Sequence, residues 1–310
     1  MTELESETTG TYRTPPPENF VVPRPPGPGA LVLFTLAFMM IQVIFMVLAA
    51  VFGVLFPILP TTLIMLGAGL VSTLLWGGAA WFWVTARALP RSWLSLAIPR
   101  APFRLWPLLL LTVPTVVVFG SNLDMLVFHA FPFLNKPDTT MEALTEAAFQ
   151  SPLTLLLVVG LAVVAAPVCE ELFFRGIVFR SLRMRTWTFL PAMLFTSALF
   201  AAIHLKLAGF FLLFIVAVVL AVLSETYASL LPAVLFHALY NSFVLMISLG
   251  SRWLTGPEMK PFSLTPAPPS TPTELPPLVT SLVLLLLSGP ALAGLLYLIR
   301  RARPAPESTP

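Results

Sequence analysis

Apolar residues fill long stretches of this chain, and polar residues fall in short groups between them. A helix needs about 20 consecutive apolar residues to cross a bilayer. Such stretches run over roughly 30–56, 61–86, 105–130, 152–180, 188–206, 209–224, 229–249 and 277–299. They are continuous apolar runs, unlike the alternating strands of an outer-membrane barrel. The pattern therefore predicts an all-α, polytopic transmembrane helical bundle of about eight spans. The third and sixth are the least regular. The third carries Pro107, Pro114, Asp124 and His129, and the sixth is short.

The remaining segments divide the chain. Residues 1–29 hold seven prolines and no apolar periodicity, and read as a disordered proline-rich tail. Residues 30–149 carry the N-terminal spans and a loop, 150–250 a helical core, 251–276 a Pro/Thr-rich loop, 277–300 the last span and 301–310 a tail. Within the loop over 131–151, Asp138, Glu142 and Glu146 lie in a mildly amphipathic stretch. No internal repeat is visible, so an inverted-repeat transporter gains no support. The first apolar run starts near Ala30 behind an acidic, proline-rich stretch, so no cleavable signal peptide is expected.

Composition narrows the classes further. Charged residues make up 10% of the 310, against about 25% in a soluble domain. A water-soluble enzyme is excluded, and so is a wholly disordered chain, which needs low hydrophobicity and high charge. The net charge of +3 reflects basic residues between apolar runs, with no aromatic interleaving, so nucleic acid is not expected as a partner. Arg13, Arg24, Arg87, Arg91, Arg100, Arg104, Arg175, Arg180, Arg183, Arg185, Arg300, Arg301 and Arg303 all fall on one side of an eight-span arrangement. By the positive-inside rule both termini are then cytoplasmic, in a multi-pass protein of the cell membrane. Trp81, Trp83, Trp93 and Trp187 read as interface anchors.

With so few charges, those inside spans are functional candidates. The fourth span reads Cys169-Glu170-Glu171-Leu172-Phe173-Phe174-Arg175-Gly176, the fifth ends Phe200-Ala201-Ala202-Ile203-His204, and the seventh contains His237-Ala238-Leu239-Tyr240-Asn241. Adjacent helical residues point about 100° apart, so Glu170 and Glu171 cannot share one task. Glu171 and Arg175 share a face at i, i+4 and can pair, which suits a structural role. Glu170 has no such local partner and suits a general base held in a cavity or met by another helix. An imidazole at His204 or His237 can act as base, hydrogen-bond donor or metal ligand. The Asn241 amide can donate to an oxyanion. Counting from the turn near residue 185 puts Glu170 and His204 within about 6 Å in depth, whereas His237 counts to only about 10 Å from a cytoplasmic turn. Bringing His237 to the others requires tilted or partly inserted helices. His129, which follows Asp124, has no motif around it and reads as interfacial or structural. Cys169 is the only cysteine. Its apolar setting argues against a nucleophile.

The set Glu170-Glu171-x-x-x-Arg175, Phe200-x-x-x-His204 and His237-x-x-x-Asn241 resembles the three-motif pattern of the CAAX protease and bacteriocin-processing (CPBP, or Abi) intramembrane endopeptidases, over about residues 150–250. The resemblance implies hydrolysis of peptide bonds in membrane-associated proteins or peptides. Glu170 would activate the water with help from His204, and His237 and Asn241 would stabilise the oxyanion. Glu171 and Arg175 would support them. That family has been described both as glutamate-dependent and as metalloprotease, and a divalent metal such as zinc would take Glu170, His204 and His237 as ligands. Nothing in the residues indicates a prenylated substrate. Two other classes fit the same spans: a non-catalytic immunity or partner-binding protein of the same fold, and a proton-coupled transporter. The expected partners are a peptide or protein substrate and the lipid bilayer.

Overall fold

The computed structural model describes residues 25–86, 96, 105–134, 139–205, 209–256 and 277–302. Among these the chain is helical, with no strands. The helices are α1 (Pro28–Leu55), α2 (Thr61–Ala86), α3 (Leu105–Ala130), α4 (Thr139–Gln150), α5 (Pro152–Met184), α6 (Phe189–Ile203), α7 (Phe210–Tyr227), α8 (Leu231–Thr255) and α9 (Pro277–Arg301). The tail over 1–24, most of the 251–276 loop, Asp138, Trp93 and Arg13, Arg24, Arg87, Arg91, Arg100, Arg104 and Arg303 lie outside the described residues.

Seven helices are long and apolar enough to cross a membrane, and the chain is a polytopic helical membrane protein. The two spans marked as irregular are both long: α3 accommodates Pro114 in its interior, and α7 reaches 18 residues. The short helix is α6, at 15 residues. It spans about 22 Å, less than the roughly 30 Å hydrocarbon layer. Its end is set by the backbone: His204 is the C-cap and Leu205 turns to a left-handed φ of 52°. The 131–151 loop is more ordered than its pattern suggested. It holds a single 3-10 turn, Pro132–Leu134, and the amphipathic helix α4.

Contacts at one end of the bundle fix the direction of the passes. Arg183 donates to Glu225 at 2.9 Å, joining the ends of α5 and α7. The Tyr227 hydroxyl donates to the Ile299 carbonyl at 3.1 Å, and Arg300 lies over the Phe189 ring. Arg185 donates to the Pro25 carbonyl at 2.9 Å. The start of α1 and the end of α9 therefore share this end, and short as it is, α6 carries the chain away from it before α7 returns. At the other end Arg252 donates to Glu146 at 2.6 Å and fastens α4 to α8. The Arg252 contact holds the Glu146 carboxyl below its ordinary range.

The centre of the bundle is α7. Its Ala217, Ala221 and Val222 pack with α1, α2, α5 and α6, while its Leu212, Val216, Val219, Leu220 and Leu223 pack with α3, α8 and α9. The outer helices α1 and α9 keep large apolar side chains bare, as Val54, Leu286 and Leu287 show. Lipid solvates these faces as well as a neighbouring helix would, so close packing and polar contacts must select the partners. Two glycines serve that packing. A Cβ on Gly77 of α2 would meet Cys169 Sγ at 2.6 Å, and one on Gly120 of α3 would meet the Leu212 backbone at 2.7 Å.

Candidate active site in the helical core

The acidic pair sits on α5, whose start is well defined: Ser151 caps it in a capping box with Thr154, and Pro152 occupies the first turn. The helix then widens twice, into π-helical turns over Gly160–Ala165 and Phe174–Phe179. Pro167 offers a cause for the first. It lacks an N–H, and its ring crowds the carbonyl one turn back. The α-helical turn Ala166–Phe173, which carries Glu170 and Glu171, lies between the two. π turns are rare and concentrate at functional sites.

Glu171 and Arg175 are both fully buried. Arg175 Nη1 donates to Glu171 Oε1 at 2.7 Å, Nη2 donates to the Ala217 carbonyl of α7 at 2.9 Å, and the guanidinium lies 4.8 Å from the Phe200 ring centroid. His237 Nδ1 donates to the same Glu171 oxygen at 3.0 Å. One carboxylate oxygen thus holds a helix-local cation and an imidazole from α8. Glu170 differs, as the 100° offset requires. Its Oε2, unpartnered in a hydrogen bond like Glu171 Oε2, lies 3.9 Å from His237 Nε2, and no helix-local cation holds it. His237 is therefore set between the two carboxylates, one facing each ring nitrogen.

The depth mismatch for His237 disappears, because His237 meets Glu171 directly. Ala228 turns at a φ of 47°, and its neighbours Tyr227, Ser229 and Leu230 are buried. Six residues of α8 then suffice to bring His237 level with Glu171. One turn further on, Asn241 Nδ2 donates to the Ala162 carbonyl at 2.7 Å, inside the first π turn.

His204 joins through Phe200. Its Nδ1 donates to the Phe200 carbonyl at 2.9 Å, and its ring lies 5.0 Å from that of Phe200. Because a carbonyl only accepts, Nδ1 carries the proton, and Nε2 is the lone-pair nitrogen of the neutral ring. The Phe200 ring also lies 5.7 Å from His237. One aromatic ring therefore contacts Arg175, His204 and His237. The motif spacing exposes Phe200 only as the residue four before His204. The Ala217 and Ala162 carbonyls leave no trace in the sequence at all.

Outside the constellation, Cys169 is buried against Gly77 of α2, and His129 is exposed. Of the expected metal ligands, His237 and Glu170 face each other, but among the described residues no group of three or more His, Cys, Asp or Glu side chains is placed to hold a metal ion.

Comparison with known families finds a match. Residues 152–243 match the family described as type II CAAX prenyl endopeptidase Rce1-like. The segment runs from the start of α5 into α8 and contains all six residues of the motif set. Comparison with curated proteins and with solved structures gave no match.

Proposed function

Because residues 152–243 match the family described as type II CAAX prenyl endopeptidase Rce1-like, we propose that the protein is a membrane-embedded endopeptidase in which Glu170 is the general base. The observation that carries this reading is the division of labour within the acidic pair. Each carboxylate keeps a buried Oε2 without a hydrogen-bond partner, but Glu171 Oε1 is committed to Arg175 and His237, whereas Glu170 meets only His237 Nε2, at 3.9 Å. Glu170 takes a proton from water as the water oxygen attacks the peptide carbonyl, and His204 Nε2 assists. His237, through Nε2, and Asn241 donate to the oxyanion. Collapse breaks the C–N bond, and Glu170 returns the proton to the leaving amine. Glu171 and Arg175 hold His237 in place.

The substrate is a membrane-associated protein or peptide. The protein resides in the cell membrane with both termini cytoplasmic, a placement supported by the gathering of Arg180, Arg183, Arg185, Arg300 and Arg301 at the end where α1 begins and α9 finishes. A non-catalytic partner-binding role would leave the buried Glu170 Oε2 beside His237 unused. The test compares peptides released by cells carrying the wild type and Glu170→Gln. Loss of a general base lowers the rate about 10²–10⁴-fold, so specific products should vanish while the protein accumulates normally. Cleavage by the purified wild type should survive exhaustive chelation. Full processing by Glu170→Gln would defeat the reading, and loss on chelation restored by zinc would replace the carboxylate mechanism with a metal one.

A further inference from the structure

Asp124 belongs to α3, outside the family match and outside every motif. It is 2% exposed, and each of its carboxylate oxygens is used. Oδ1 accepts the Phe211 N–H at 2.9 Å and Oδ2 accepts the Leu212 N–H at 3.1 Å. These are orphan donors of the first turn of α7, whose own N-cap, Gly209, offers no side chain. A carboxylate there also meets the positive end of the helix dipole. One turn before Asp124, Gly120 lets α3 approach Leu212 so closely that a methyl group would strike its backbone. The start of α7 is therefore fixed in both position and direction by α3.

Two routes lead from that fixed point to the site. Seven residues before Phe211 stands His204, at the end of α6. Five residues after Leu212 stands Ala217, about 7.5 Å along the helix, whose carbonyl holds Arg175 and, through it, Glu171 and His237. We propose that Asp124 is a positioning residue for the catalytic set: by capping α7 from a neighbouring helix, it sets where His204, and the Ala217 carbonyl that orients the Arg175–Glu171–His237 chain, stand relative to α5. The proposal rests on the endopeptidase reading for its purpose, and its test does not.

The chain has three histidines, His129, His204 and His237, so ring-nitrogen NMR of histidine-labelled protein in bicelles yields three assignable pairs of signals, one for each ring's Nδ1 and Nε2. In Asp124→Ala the His204 and His237 signals should move by more than a linewidth. His129, exposed and only five residues from Asp124, should stay in place. Asp124→Asn keeps one acceptor and should give smaller shifts of the same sign. If Asp124→Ala does not fold, Asp124→Asn alone decides. Unmoved His204 and His237 signals, movement of His129 alone, or equal broadening of all three would overturn the proposal. Cleavage lost in Glu170→Gln alongside unmoved histidines would leave the endopeptidase standing and remove only the role of Asp124.

Discussion

Replacing Arg175 with Met tests whether the buried charge pair holds the core together. The wild-type guanidinium donates to Glu171 at 2.7 Å and to the Ala217 carbonyl at 2.9 Å, with both charged side chains at 0% exposure. Removing one partner of such a pair leaves the other charge uncompensated and costs about 3–5 kcal/mol. The lost contact with Phe200, 4.8 Å away, adds about 0.5–2 kcal/mol. Glu171→Gln should be destabilising too, because it leaves Arg175 without a counter-charge. The double variant removes both charges. Its loss should fall short of the summed single losses by about 2–3 kcal/mol, within the range found for contacting residues. Reversible unfolding of the four proteins in bicelles, followed by tryptophan fluorescence or steric trapping, measures the cycle. Additivity within about 0.5 kcal/mol would show that the two side chains are not coupled, and the scaffold assigned to Glu171 would fall with that result.

Two further outcomes follow from the packing and the far end of the bundle. Gly77→Ala puts a methyl group 2.6 Å from Cys169 Sγ and should cost about 1–3 kcal/mol by overpacking. Adding Cys169→Ala should recover most of that loss in a thermal melt, and no recovery would mean the helices meet elsewhere. Glu146 is held below its ordinary value by Arg252. Its contribution is therefore complete above the unfolded glutamate value of about 4.3 and is lost as pH falls through the lower folded value. Amide exchange in α4 should accelerate over that acidic window and not at neutral pH, and Arg252→Gln should abolish the pH dependence.

Length and hydropathy show plainly in a sequence, and so the helices do here. Each of the eight apolar stretches corresponds to a helix, because a bilayer requires continuous apolar runs with internally satisfied backbones. The Glu171–Arg175 pair follows equally from helical spacing. The depth of His237 could not be read, because counting from one end assumes straight helices that all start at the same level, and the contact of His237 with Glu171 depends on how α7 and α8 join. Partners supplied by the main chain also escape the sequence. The Ala217 and Ala162 carbonyls are chemically like every other carbonyl, and only the fold points them at Arg175 and Asn241. Asp124 gave a visible signal, a lone carboxylate in an apolar run, but its targets lie 87 and 88 residues away.

The two widened turns of α5 hold slack in the helix. Each π turn accommodates one residue more than a regular α-helix would. Deleting a single residue from Gly160–Ala165 would let that turn tighten into an α turn and leave the following segment close to its present phase. The regular segment Ala166–Phe173 has no such slack. Deleting one residue there ahead of the acidic pair would turn the pair by about 100° about the helix axis and point the anchoring carboxylate where the working one now points.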